Sequence, residues 1–280
     1  MGSSAKDVKN RIKSVESTMH ITKAMELVAS SKLKRAKERM EQGRAYFDLM
    51  QSALSDAASF DSGNSSPFLK GREVKKSCFV IIAGDRGLAG GYNNNIFKLA
   101  KESMQNKDCT VVPIGKRSLE HYKKRGVNIF SDEYSVIDSL GSKDCSKLGK
   151  KLSSAFKSGE FDELYIVYTR FDSMLSQSPH ILKVLPMSAE KKEEKQHGYV
   201  LYEPSAEAVF NAIIPEYTAG LLYGAVSESY ASELAARRTA MDSASKNAEE
   251  MIEDLSLKYN RARQNAITQE ITEIVAGAEG

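Results

Sequence analysis

Ten consecutive residues carry the densest chemical signal in this chain: Gly84-Asp85-Arg86-Gly87-Leu88-Ala89-Gly90-Gly91-Tyr92-Asn93. They follow an apolar run and precede a helical pattern, the position at which glycine-bared amides and a helix start cradle phosphate. The details argue against that chemistry. There is no Gly-x-x-x-x-Gly-Lys, the glycines are not spaced as Gly-x-Gly-x-x-Gly, and no lysine follows to neutralise a phosphate. A structural turn, with Asn93 capping the next helix, accounts for the same residues. The histidines, His20, His121, His180 and His197, lie far apart, and none has a second ligand type four residues away, so no metal site is expected. Cys78, Cys109 and Cys145 are odd in number and widely spaced. They form neither a zinc pattern nor a disulfide framework, which suits a reducing compartment. No serine, cysteine or carboxylate pair has a base beside it. The expectation is no catalytic residue, no cofactor site and no metal.

Charge is the remaining candidate for function. Lys32, Lys34, Arg35, Lys37 and Arg39 are opposed locally only by Glu38. Residues 6–44 hold eleven basic and five acidic side chains, a net of +6, whereas residues 228–280 hold six basic and ten acidic, a net of −4. The cluster reads either as a solvated helix face or as a docking surface for acidic partners. Nucleic acid is a second possibility, without the interleaved aromatics that stack on bases. Across 280 residues the charges nearly balance, 40 basic against 37 acidic, so composition demands neither nucleic acid nor an anionic membrane.

The elements that would position these residues fall into three parts. From about residue 6 to 58 there is no proline. A stripe runs Val8, Ile12, Val15, Met19, Thr22, Met25, Ala29, Leu33, Ala36, Met40 in mostly alternating steps of four and three, the seam of a coiled coil. Ser4 and Asp7 offer a capping-box-like start. Such a helix is roughly 75–80 Å long and must project from a compact domain. A second seam runs Leu234, Arg238, Met241, Ser245, Ala248, Ile252, Leu255, Tyr259, Ala262, Ala266, Gln269. It is small and polar where a self-sufficient dimer would carry Leu and Ile. Two weak seams at opposite ends of one chain are expected to pair with each other, antiparallel.

Between them, residues 73–205 alternate strand and helix signals. Strands are expected at Cys78–Ala83, Thr110–Ile114, Val127–Phe130 and Leu164–Thr169, and helices at Ile96–Gln105, Ser118–Arg125 and Ser146–Ser158. That order predicts a mainly parallel sheet with right-handed crossovers. His180–Pro186 reads as an edge strand, Asp61–Pro67 as a linker, and Ser188–His197 as a solvated loop. Nothing approaches the roughly 18 apolar residues of a spanning helix. No secretory leader pattern is present at the start, so secretion is not expected.

With these residues in view, the chain resembles the gamma subunit of F-type ATP synthases. The resemblance lies in Ile21 through Leu33 (ITKAMELVASSKL), in Asp85 through Asn93, in Ser232 through Ala248, and in the tail Ile267 through Ala278. The matches fall in family order over nearly the whole chain. The resemblance implies an α/β fold: a long antiparallel coiled coil of the N- and C-terminal helices (1–60 and 206–280) plus a Rossmann-like, mainly parallel sheet domain (73–205). It implies a non-catalytic rotor shaft inside a sleeve of alpha and beta subunits. The shaft would rest on the epsilon subunit and the membrane c-ring, and would couple ion flow to ATP synthesis or hydrolysis. Nucleotide and magnesium would belong to alpha and beta. Lys32, Lys34, Arg35, Arg261 and Arg263 would meet acidic loops of beta. Ile267, Ile271, Ile274 and Val275 would form a bearing in the top of the sleeve, and Tyr202 and Glu203 would lie at the foot, near the ring and epsilon. The implied location is the cytoplasmic face of a bacterial plasma membrane, as a peripheral protein. Two other readings are a nucleic-acid-binding coiled-coil protein using Lys32–Arg39 and a nucleotide enzyme using Gly84–Asn93.

Overall fold

The computed structural model describes residues 5–60, 66–69, 71–134, 136–187 and 205–278; of 42, 44–60, 206 and 207 it describes the backbone. Ser4, Tyr202, Glu203, His197 and the expected loop Ser188–His197 lie outside the described residues. Two helices begin and end the described chain, α1 (Ala5–Phe60) and α5 (Ala206–Ala278). Between them come β1 (Lys76–Ile82), α2 (Tyr92–Ser103), β2 (Asp108–Ile114), α3 (Lys116–Lys123), β3 (Asn128–Ile129), α4 (Ser142–Ser158), β4 (Glu163–Phe171) and β5 (Gln177–Leu185). The chain forms two compact units, Met1–Ser31 with Arg237–Gly280, and Lys32–Ala236.

The first unit is a helix pair. On α1 its seam residues Val8, Thr22 and Ala29 are buried, with Ile12, Val15, Met19 and Met25 half-buried. On α5 Met241, Ser245, Ala248 and Leu255 are buried. The seam is polar at one layer, where the Thr22 and Ser245 hydroxyls meet at 2.7 Å. Lys23 and Glu249 pair at 2.5 Å on the flank, both half exposed. Burial along the α5 seam fades out at the half-buried Ala262, and Ala266 and Gln269 are exposed.

The second unit is built on a five-stranded sheet of order β3-β2-β1-β4-β5. All pairs are parallel except β4–β5, so β5 is the antiparallel edge. Buried on both faces, β1 reads as a continuous apolar run, as parallel strands do. β3 is short for a local reason. The Val111 carbonyl accepts from Phe130 N at 2.9 Å, so Val111 turns its backbone toward β3. Pro113 has the same parity and no N–H to offer, so the β2–β3 ladder stops. One face of the sheet packs on α2 and α3 through Phe79, Ile81, Ile96, Ala100 and Tyr122. The other packs on α4 and the first part of α5 through Val80, Ile82, Leu148, Phe156, Phe210 and Leu222. Gly149 permits that second contact: a Cβ there would stand 2.8 Å from the Ala219 backbone nitrogen. The sheet core therefore extends into the start of α5, beyond residue 205.

Helices α2 and α4 begin four residues before the starts expected from the sequence. In α2 the buried stripe already opens at Tyr92, ahead of Ile96 and Ala100, and in α4 the first turn is polar, with the Asp144 carboxylate accepting from Gly141 N at 3.1 Å. The linker expected at Asp61–Pro67 ends in the core: Ser66 is buried and hydrogen-bonds Asn211 at 2.7 Å, and Phe68 stacks on Phe156.

Candidate functional site

The chain runs outward from β1 to β2 and β3 and then returns to β4 on the other side, so the strand order reverses between β1 and β4. In open α/β sheets the crevice at the carboxyl ends of these two strands is where ligands bind. Here α5 fills it. Gly84, at the end of β1, lies so close to the helix that a Cβ would be 2.5 Å from a Glu233 carboxylate oxygen. Thr169 N donates to Ser229 Oγ at 3.0 Å, Ser232 Oγ donates to Thr169 O at 3.2 Å, and Phe171 N donates to Glu228 Oε1 at 3.3 Å. The Tyr92 hydroxyl donates to the Ser229 carbonyl at 3.0 Å. At the end of β4 the backbone groups of Thr169 and Phe171 are taken up by α5, while the Thr169 side-chain hydroxyl is buried without a hydrogen-bond partner.

The Gly-rich loop follows the same logic. Asp85 places a carboxylate among backbone amides: Lys116 N at 3.1 Å, Ile137 N at 3.2 Å and Asp138 N at 3.4 Å. The Asp85 carboxylate thus ties the loop to the start of α3 and to residues 137–138. Leu88 and Gly90 have φ of 61° and 56°, which lets the loop fold back onto the helix start. The expectation that Asn93 caps the next helix is corrected. The cap position is Gly91, with no side-chain bond, because α2 begins one residue before Asn93. Asn93 instead braces the loop, accepting from Gly84 N at 2.9 Å and donating to the Arg86 carbonyl at 3.2 Å. Beside the loop is a cavity of 370 Å³ lined by Arg117, His121, Lys124 and Arg125 among others. His121 stacks on Phe97 at 3.9 Å, and burial, then the Arg125 charge, hold its pKa below the ordinary imidazole value.

The remaining titratable candidates are dispersed. His20 is exposed, and His180 meets Tyr168 edge-on at 5.5 Å. Among the described residues no group of three His, Cys, Asp or Glu is placed to hold a metal ion. The cysteines are free thiols; burial pushes Cys145 up to about 12 and raises Cys78 further.

The basic cluster divides. Lys32 pairs with Asp138 at 3.1 Å, Lys37 sits over the Phe171 ring at 5.3 Å, and Arg39 donates to the Tyr223 hydroxyl and the Leu140 carbonyl. Lys34 and Arg35 are exposed, as are Arg261 and Arg263 at the far end of α5. Lys32 therefore has an internal partner that the sequence did not reveal. The apolar residues at the end of α5 project into solvent: Ile267 is 46% exposed, Ile271 56%, Ile274 71% and Val275 52%. Among the described residues no helix is long and apolar enough to cross a membrane. Asp138 and Tyr230 were not singled out from the sequence. They are far apart along the chain, and only the topology joins them.

A family model described as ATP synthase matches residues 4–280. The ATP synthase gamma chain of Ruminococcus albus is 46% identical over 274 residues, 96% of each chain. This chain belongs to the ATP synthase gamma-chain family. The gamma chain of Acetobacterium woodii, described as sodium ion specific, is 42% identical over 299 residues, covering all of this chain and 99% of that one. Among solved structures, a chain of the Euglena gracilis mitochondrial ATP synthase superposes with TM-score 0.67 at 19% identity, covering 98% of this chain and 93% of that chain. A central-stalk and c-ring structure from Tetrahymena thermophila gives 0.61 at 23% identity, covering 80% and 99%. These two show the shared fold: a mixed α/β protein with long terminal helices and a mainly parallel sheet. In this gamma-chain family member the Asp85–Asn93 motif is an internal brace, and the exposed features are the helix faces and the α5 end.

Proposed function

We propose that this chain is the central-stalk rotor of an ATP synthase, turning within a hexamer of alpha and beta subunits and linking it to the ion-driven c-ring. One observation carries the reading: α5 continues past the last half-buried seam residue, Ala262, and ends in the solvent-facing apolar set Ile267, Ile271, Ile274 and Val275. A helix end of that kind is stable in water only at a cost, and a hydrophobic collar removes the cost. The seam below it is small and polar, which favours shallow, distributed contacts over a few deep anchors.

The chain itself is assigned no catalytic chemistry. The crevice where this fold would hold a nucleotide is occupied by Glu228, Ser229, Ser232 and Glu233, and nucleotide chemistry falls to the partner subunits. Lys34, Arg35, Arg261 and Arg263 meet acidic loops of the beta subunits. Charge attraction acts over about 8–10 Å at physiological salt, so it persists while the shaft turns. Lys32 contributes through its tie to Asp138. Tyr202 and Glu203 are assigned to the foot, near epsilon and the ring. The assembled complex sits at the cytoplasmic face of a bacterial plasma membrane. The nucleic-acid alternative is not retained, because Lys32, Lys37 and Arg39 of its cluster are held by the chain's own groups.

The test is purification of the chain from native membranes under mild detergent, with its companions identified. The reading expects alpha, beta, epsilon and ring subunits with a single copy of this chain per hexamer. Recovery apart from any ATPase would overturn it.

A further inference from the structure

Asp85 is the one acid of the Gly-rich loop Gly84–Asn93, yet most of its bonds reach a distant segment. Both of its oxygens take the Ile137 amide at 3.2 Å, and one of them takes the Asp138 amide at 3.4 Å. The other end of the same short segment grips two helices. Asp138 accepts from the Tyr230 hydroxyl of α5 at 2.6 Å and from Lys32 Nζ of α1 at 3.1 Å. Two residues on, the Leu140 carbonyl accepts from Arg39 Nη2 at 2.5 Å, and Arg39 Nε donates to the Tyr223 hydroxyl at 2.9 Å. Residues 137–140 therefore form a strap across α1 and α5, and Asp85 fastens it to the sheet.

The plain alternative is an ordinary loop anchor, and taken singly the half-exposed Lys32–Asp138 pair is weak. What distinguishes the strap is its wiring. Hydrogen bonds from amides to an ionised carboxylate are roughly twice as strong as neutral ones, so Asp85 is the firm end. Three helix contacts, Tyr230 and Lys32 to Asp138 and Arg39 to the Leu140 carbonyl, end on the segment that Asp85 holds. The sheet already packs on α5 and bonds to it through Thr169 and Tyr92; the strap adds a polar cross-tie that reaches α1 as well as α5.

We infer that Asp85 is a positioning residue for torque transfer: it holds residues 137–140 so that Asp138 and Leu140 bind α1 and α5 and the sheet turns with the helices. The inference rests on the rotor reading. It goes further by naming a polar tie, beside the core packing of the sheet on α5, that also takes in α1.

The experiment uses the complete complex in inverted membrane vesicles, with ATP hydrolysis and ATP-driven ion pumping measured together. Asp85→Asn keeps the size of the side chain and removes its charge. Amides of Ile137 and Asp138 are expected to exchange with deuterium about tenfold faster, the scale on which one charge-assisted hydrogen bond protects an amide. Hydrolysis is expected to continue while ions pumped per ATP fall. Asp138→Asn is expected to give the same fall in coupling without faster exchange at Ile137, and the double variant to be no worse than either single one. That non-additivity marks one device. Should Asp85→Asn fail to assemble, Asp85→Glu, which keeps the charge and displaces it by one methylene, is read for the same two quantities with the same expected directions. Faster exchange with coupling at the parent's value overturns the torque role and leaves the rotor reading standing. Unchanged exchange removes the strap itself. A parent complex that hydrolyses ATP without pumping would remove the rotor reading, and the inference with it.

Discussion

The hydroxyls of Thr22 and Ser245 meet in a buried seam, and the Thr22 hydroxyl also donates to the Met19 carbonyl at 3.0 Å. One hydroxyl has one proton, so Ser245 is the donor to Thr22. The two ends of this pair are therefore unequal. Thr22→Val leaves the Ser245 donor buried without its acceptor and is expected to cost about 1–3 kcal/mol. Ser245→Ala leaves Thr22 still bonded to Met19 and is expected to cost less. Urea unfolding of the purified chain compares them, and equal costs would contradict the assigned direction. Glu163 gives a pH prediction. Burial opposes its charge, but the Lys183 hydrogen bond and further interactions with Tyr165 and Lys107 prevail, so its pKa lies below the ordinary 4.5. A lowered folded pKa means stability present above the unfolded value and lost as pH falls through the folded one. The stability advantage of the parent over Glu163→Gln is thus expected to be full at neutral pH and to shrink below about pH 4.5, where carboxylates take up protons. An advantage that grows in acid would contradict the sign. At this scale the sequence was legible only where residues act with near neighbours. The Gly-rich loop was recognisable as structural because its lysine and glycine spacing were wrong for phosphate. The exchange of Asn93 from cap to brace, and the meeting of Asp85, Asp138, Tyr230 and Lys32, depend on pairings across long stretches of chain that carry no periodic signal.

Among the elements, both seams were legible because a hydrophobic repeat near 3.5 survives any detail of packing. Every α1 position in that stripe, from Val8 to Met40, is buried or half-buried. The strands were legible as apolar runs, and β5 as an edge from its prolines. The first part of α5 was read as shaft but serves the sheet core, because an amphipathic helix looks alike whichever partner covers it. Gly149 tests that packing. Gly149→Ala is expected to force α4 from α5 and cost about 1–3 kcal/mol, as overpacking does, measured by thermal unfolding. The end of α5 tests the bearing. Burial is worth about 25 cal/mol per Å², so Ile271 and Ile274 together are expected to contribute a few kcal/mol to seating. Deletion after Ile267 is expected to lower retention of the chain on native gels while the surviving complex still hydrolyses ATP. A fully assembled truncated complex without hydrolysis would give the tip a direct part in the catalytic cycle. The exposed cations act jointly in this account. Exposed pairs are worth about 0–1 kcal/mol each, so Lys34→Ala or Arg35→Ala alone is expected to be silent. The quadruple variant, with Lys34, Arg35, Arg261 and Arg263 all replaced by Ala, is expected to reduce ATP-driven pumping in assembled vesicles.

For the whole molecule, the opposite charges of the two terminal helices and their matched seams allowed one chain to be read as its own coiled-coil partner. The filled crevice between β1 and β4 was not readable, since Gly84 and Glu233 are brought together only by the fold. It leads to an expected outcome for the isolated chain: equilibrium titration with magnesium and ATP finds no saturable site. The central claim is rotation. The most direct measurement holds the hexamer to a surface through its beta subunits, carries a visible probe on the exposed face of this chain's sheet domain, and follows the probe during ATP hydrolysis. The account predicts continued turning in one direction, in step with hydrolysis and halted when ATP is withdrawn. Hydrolysis at the full rate beside a probe that stays at one angle would contradict it.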